Sequence, residues 1–293
     1  MIARIILGLV IGSRLQPDFF EGLYRWSESI MALTICVIVA TTVCYFYLRR
    51  FAGYSSATAY YSAMPGGLAQ MTELGREVGG DERVISMIHT FRVLLVVALT
   101  PIIVIYSSGA DFSSASPSIS LNKIDGPFDL FLMILCSTSG FYIAKFLKIP
   151  AGHFVGPLFM FGFASAAGFT HSSPPGDISA FCQVLVGAGY GSRFRGVKIA
   201  FLWQTFRFSM ISTFIHINFT ILFAFILVFL GSFDIPNIVL AYAPGGQLEM
   251  SLLAVALAED ISFISVHHLL RAIGVMVIGP YFYRYFIQSR VTE

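Results

Sequence analysis

Charge is what this chain has least of. Only 12% of its 293 residues are Asp, Glu, Lys or Arg, against roughly 25% in soluble domains. That shortage excludes an ordinary water-exposed globule. Polar stretches are short as well, so no segment is long enough to form a DNA-binding domain. The formal charge of +2 says little about partners, because placement matters more than the sum. Cysteine is scarce too: Cys36, Cys44, Cys136 and Cys182 lie inside apolar segments without paired spacing, which argues against a disulfide framework or a metal site. No nucleophile elbow, zinc motif, phosphate loop or dinucleotide fingerprint is present. Oxygen chemistry needs histidine with carboxylate ligands, or copper held by His and Met. Of His89, His153, His171, His216, His267 and His268, only the last two are neighbours, and adjacent helical residues point about 100° apart. No enzyme activity, metal or cofactor is expected.

What the chain has is hydrocarbon. Residues 29–48 read SIMALTICVIVATTVCYFYL, and residues 210–230 read MISTFIHINFTILFAFILVFL. Each reaches the roughly 20 mostly apolar residues that a bilayer crossing requires. The expected fold class is all-α, a polytopic membrane helical bundle. Crossings are expected at 26–48, 84–106, 127–147, 153–170, 178–192, 203–230 and 261–283.

The chain also repeats itself. Pro65 and Pro244 lie 179 positions apart. The same offset, without a gap, superimposes Gly8 on Gly187, Gly12-Ser13-Arg14 on Gly191-Ser192-Arg193, and Met71 on Met250. It also sets Asp81 on Asp260, His89 on His268, Arg92 on Arg271 and Pro101 on Pro280. One register held over such a span indicates a duplicated unit. The organisation expected is a first repeat at 1–106, a Ser-rich connecting loop at 107–126 and a second repeat at 127–293. The segments at 130–146 and 152–169 have no counterpart, because the offset places them before residue 1. The first repeat is therefore expected to be truncated at its N-terminus.

With GLVIGSRLQPDF at 8–19, two Pro-Gly-Gly segments, and the tails DERVISMIHTFRVLLVV and DISFISVHHLLRAIGVM, the chain resembles the membrane AbrB-like family of tandemly duplicated bacterial proteins. The resemblance covers almost the whole chain. It implies a multi-pass protein of the cytoplasmic (inner) membrane, distantly similar to cation–proton antiporter and anion-transporter folds. It also implies a role in regulating gene expression or, by another label its members carry, ammonia oxidation.

The segments MPGGLAQM at 64–71 and APGGQLEM at 243–250 interrupt apolar helices. Broken backbone in hydrocarbon leaves N–H and C=O groups without partners, each costing several kcal/mol. Such breaks persist only when buried in protein or facing a water-filled cavity. A helix starting at Gly66 or Gly245 presents free N–H groups and the positive end of its dipole. Paired interruptions in corresponding positions point to a midplane binding site in secondary transporters. The competing reading is packing, with Gly-Gly allowing close helix approach and Pro starting a new helix.

The candidate substrate-binding set is therefore Pro65, Gly66, Gly67, Gln70, His89, Arg92, Pro244, Gly245, Gly246, Glu249, His268 and Arg271. His89 and Arg92, like His268 and Arg271, share one helix face at i, i+3. An arginine two to three turns inside an apolar helix marks function by default. Its competing role is to cap the carbonyl end of a neighbouring broken helix. Glu249 opposite Gln70 suggests at most one ionisable coupling position. Asp81 and Asp260 suit helix caps.

If the Pro-Gly-Gly stretches are re-entrant, Arg49, Arg50, Lys145, Lys148, Arg193, Arg195, Lys198, Arg284 and Arg290 fall on one side, and the repeats are inverted. If they span, Arg49, Arg50, Arg284 and Arg290 change sides. Charge bias favours inverted repeats, although Arg14 and Arg25 then lie on the other face. The function expected is a secondary transporter-like carrier of a small, anionic solute. The alternative is a membrane-embedded regulator that affects gene expression indirectly, without transport. The implied partners are the lipid bilayer and the solute, not nucleic acid, with homo-oligomerisation left open.

Overall fold

The computed structural model describes residues 1–15, 24–108, 124, 126–149, 151–231 and 233–288, with only the backbone at 286 and 288. The Ser-rich connecting loop lies largely outside the described residues, as does the end of the motif at 8–19. Twelve α-helices follow one another among the described residues, with no strand. They are α1 (Ile2–Gly12), α2 (Ser27–Phe51), α3 (Ser56–Ala63), α4 (Leu68–Glu77), α5 (Glu82–Ser108) and α6 (Pro127–Phe146). The series continues with α7 (Gly152–Ala166), α8 (Gly176–Gly191), α9 (Ile199–Phe229), α10 (Ile235–Tyr242), α11 (Gln247–Leu257) and α12 (Ile261–Phe282). A π-helical turn (Tyr283–Gln288) extends α12.

Five helices, α2, α5, α6, α9 and α12, are long and apolar enough to cross a bilayer. The chain is a multi-pass membrane protein. The expected crossings at 153–170 and 178–192 form helices of only 15 and 16 residues. At about 1.5 Å per residue these fall short of the roughly 30 Å hydrocarbon layer.

Helix bounds recur at the 179-residue offset. Ser56–Ala63 moves onto Ile235–Tyr242 at both ends, and Leu68 and Glu82 move onto Gln247 and Ile261, the first residues of α11 and α12. Compactness divides the chain differently. One unit comprises 1–27, 109–192 and 247–266; the other comprises 28–108, 193–246 and 267–293.

In the first unit α7 packs between α6 and α1, and α1 also touches α8 and α11. Glycine sets these distances. A Cβ on Gly12 would lie 2.5 Å from the Leu158 carbonyl oxygen, and one on Gly8 would lie 2.6 Å from that of Phe154. Gly140 in α6 meets the Gly156 backbone of α7 in the same way. Between membrane helices, where lipid tails remove the usual hydrophobic drive, such close contact supplies the association energy.

In the second unit α5 is the hub, packed by α3, α4, α9 and α10. Helix α2 buries Ser29, Leu33, Cys36, Ala40, Cys44 and Leu48. That three-to-four spacing of small and polar residues marks one helical face. A cluster of Cys44, Leu48, Ala59, Ala63, Val84 and Ile88 is buried alongside.

Candidate functional site

Each broken helix is two short helices with a gap between them. Proline lacks an N–H and restricts the residue before it to extended conformations. Met64, before Pro65, accordingly has φ −62° and ψ 132°, and Ala243, before Pro244, has φ −47° and ψ 130°. The new helices start at Leu68 and Gln247, two residues later than helices opening at Gly66 and Gly245. The second gap uses glycine's freedom: Gly245 has φ 148° and Gly246 φ 68°, conformations that other residues rarely adopt. The first gap needs no such conformation at Gly67, whose φ is −65°. There Gln70 folds back over Gly67, and the Met71 side chain lies against Gly66.

Breaking a helix orphans the carbonyls at its first half's C-terminus. Two arginines take them. Arg92 of α5 donates from Nη2 to the Met64 carbonyl at 2.9 Å and from Nη1 to those of Ser62 and Ala63 at 3.4 Å. Arg271 of α12 donates from Nη1 to Tyr242 at 3.4 Å and to Ala243. Ala63 and Met64 are the 179-offset counterparts of Tyr242 and Ala243, so the two contacts share one register. Both arginines are buried, 1% and 8% exposed.

The accompanying histidines differ. Arg271 Nη2 donates to His268 Nδ1 at 2.8 Å, which leaves the other ring nitrogen, Nε2, to donate to Leu240 O at 2.9 Å. His268 and Arg271 together satisfy the end of α10. His89 Nδ1 instead lies 2.9 Å from Ile85 O, one turn back on its own helix.

The carbonyls leave part of each guanidinium unused. Nε of Arg92 and Nε of Arg271 are buried with no hydrogen-bond partner among the described residues, and neither arginine has an ion pair there. The gaps also approach each other's machinery. A Cβ built on Gly245 would lie 3.9 Å from Arg92 Nε and 3.5 Å from Val93. The second unit therefore brings together Pro65, Gly66, Gly67, Gln70, His89, Arg92, Pro244, Gly245, Gly246, His268 and Arg271. Asp81 also belongs to it, accepting the Arg83 and Val84 amides at 2.9 and 3.2 Å.

Glu249 and Asp260 belong to the first unit. Glu249 Oε1 accepts from Tyr190 Oη at 2.8 Å, and Asp260 Oδ1 accepts the Phe263 amide at 2.9 Å. The offset counterparts of Tyr190 and Glu249 are Ile11 and Gln70, so the phenol–carboxylate pair occurs once.

Two buried networks in the second unit had no motif to announce them. Ser29 Oγ lies 2.9 Å from His267 Nε2 and 3.2 Å from Tyr242 Oη, and Tyr242 donates to the Ser29 carbonyl. Cys44 Sγ lies 3.2 Å from His216 Nδ1. The spacing of Ser29 and Cys44 along one face of α2 was the available signal. Among the described residues, no group of three or more His, Cys, Asp or Glu is placed to hold a metal ion.

The paired gaps, each closed by an arginine in the same register, recur across a chain that one family model matches almost end to end. Described as "Transition state regulatory protein AbrB", that model matches residues 1–287. The chain belongs to the AbrB family. A similar protein, "Uncharacterized protein YhjN" of Bacillus subtilis (strain 168), is 27% identical over 299 residues, covering 97% of this chain and 77% of the relative. No solved structure matches. Family membership thus adds the span of the relationship, and the site's chemistry rests on the geometry above.

Proposed function

We propose that this AbrB-family membrane protein is a secondary transporter-like carrier of a small organic anion, bound where its two interrupted helices meet Arg92 and Arg271. The observation that supports this most is the pair of buried guanidiniums, each with an unclaimed Nε–H and neither with a carboxylate partner among the described residues. A charge at the bilayer centre costs about 2.5–3.5 kcal/mol on insertion scales. Two in one compact unit are held more cheaply with an anion between them. Backbone carbonyls offset part of that cost, which is why the arginines can remain in place while the solute comes and goes. The chemistry asked of the site is binding and release rather than bond-making. We place the protein in the cytoplasmic membrane.

Proteoliposome counterflow tests the reading with a panel of labelled carboxylates and phosphate esters. Exchange of at least one anion is expected in the wild type, with at least tenfold loss in Arg271→Lys, which keeps a charge but not the fork. Equal exchange in both removes Arg271 from the mechanism.

The family's regulatory description supports a second reading, in which the protein changes gene expression indirectly without carrying solute. A deletion strain separates them. Rescue of its expression change by a transport-dead variant favours the regulator.

A further inference from the structure

A cavity of about 530 Å³ opens in the second unit between α2, α3 and α12. Its walls include Val37, Thr41 and Tyr45 from α2, Met64 at the end of α3, and Arg271 and Gly274 from α12. Its rim carries Ile38, Phe46 and Ile278, all well exposed. Both long helices beside it are membrane-crossing candidates, so an apolar rim on them faces acyl chains and not water.

The wall chemistry is uneven. Most of it is hydrocarbon, as in ligand cavities generally, whose volumes run about 300–1,000 Å³. Yet two of the lining residues carry a buried donor that has no acceptor among the described residues: the Thr41 hydroxyl, on a residue 6% exposed, and Nε of Arg271. The other threonines on the lining are already spent, Thr34 and Thr42 donating to Ile30 O and Ile38 O on their own helix. A buried donor without an acceptor costs about 1–3 kcal/mol, and more when charged. The wall therefore lacks something with acceptor oxygens and a negative charge, attached to a body that hydrocarbon will accept.

We propose that this cavity binds a single-chain amphiphilic anion, an alkyl carboxylate, which enters from the bilayer between α2 and α12 and sets its carboxylate against Arg271 and Thr41. The carboxylate accepts from Arg271 Nε–H and the Thr41 hydroxyl, and the chain lies along Val37 and Ile278. A neutral amphiphile leaves the guanidinium uncompensated. A diacyl phospholipid needs room for two chains and a glycerophosphate head, more than this volume offers. The proposal deepens the carrier reading by naming a substrate class, and it rests on Arg271 facing an anion.

Gly274 gives a clean test. A Cβ built there meets nothing within 4 Å, and Gly274 lines the cavity, so Gly274→Leu is chosen to occupy it while leaving Arg271 in place. Thr41→Val removes the hydroxyl at nearly constant shape. Native mass spectrometry of the purified full chain, with dodecanoate, dodecanol and phosphatidylglycerol as probes, reads binding directly. One dodecanoate per chain is expected. Dodecanol should bind at least tenfold more weakly, Thr41→Val should bind dodecanoate several-fold more weakly, and Gly274→Leu not at all. Size-exclusion profiles matching the wild type establish that both variants are folded. Equal binding of dodecanol, displacement by equimolar phosphatidylglycerol, or unchanged binding in Gly274→Leu overturns the proposal. Counterflow keeps the two readings apart. Dodecanoate binding absent with anion exchange intact rejects the amphiphile alone, whereas binding intact with no exchange of any anion rejects the carrier alone.

Discussion

Arg92 holds the carbonyl of Met64 at 2.9 Å, closing the end of α3 from a helix that lies later in the chain. A guanidinium can do this for several carbonyls at once because its five N–H donors form a planar fork. Lysine offers a point charge and no fork. Arg92→Leu is expected to destabilise the protein by about 2–3 kcal/mol, since carbonyls of Ser62, Ala63 and Met64 lose donors while a buried charge is removed. Arg92→Lys should recover part of that loss. Thermal unfolding in detergent measures both, and an unchanged midpoint in Arg92→Leu contradicts the capping role.

The close contact of α1 with α7 predicts a contrast between glycines related by the 179-residue offset. Gly12→Ala drives a Cβ to 2.5 Å from the Leu158 carbonyl oxygen, whereas Gly191→Ala meets nothing within 4 Å. Overpacking of this kind costs about 1–3 kcal/mol. Gly12→Ala should lower the unfolding midpoint and Gly191→Ala should not. Equal tolerance at both positions contradicts the packing described for α1.

The two gaps should also differ in their tolerance of alanine. Gly246 has φ 68°, where a Cβ costs about 1–2 kcal/mol. Gly67 has φ −65° and faces the movable end of Gln70. Gly246→Ala is expected to destabilise measurably more than Gly67→Ala, by chemical or thermal unfolding. The reverse order contradicts the backbone assigned to the second gap.

Tyr190 and Glu249 form a pair found in one half of the register only. A double-mutant cycle of Tyr190→Phe and Glu249→Gln is expected to give a coupling of about 0.5–1.5 kcal/mol in unfolding free energy, the net worth of a typical intramolecular hydrogen bond. Additive effects contradict the bond.

Much of this was legible in the sequence, for reasons that differ by residue. Pro65 and Pro244 announced the gaps because proline cannot donate to a helix ladder, and Arg92 and Arg271 stood out because charge is rare at that depth. Their targets did not show. Which carbonyls lie beside α5 and α12 depends on helix packing, and nothing local to Met64 or Ala243 encodes it. His267 looked unremarkable, since Ile88 stands opposite it in the register, yet it meets Ser29 across 238 positions. Apolar composition misled at 153–170, where it continued past the helix end at Ala166; at 178–192 the helix has the expected extent, Gly176–Gly191, and is itself short of a crossing. The register records where similar segments recur, while compactness records what packs on what. These boundaries fall in different places because α11 packs on α1 and α10 on α5, on either side of one gap.

The central claim is that Arg92 and Arg271 together form an anion site, and ligand-dependent thermal stability tests it most directly. A ligand that binds only the folded state stabilises by about 2.7 kcal/mol at a hundred times its Kd. At least one organic anion in a broad panel should raise the wild-type unfolding midpoint by several degrees and leave the Arg92→Lys, Arg271→Lys double variant unmoved. No shift with any anion, or an equal shift in the double variant, contradicts the account.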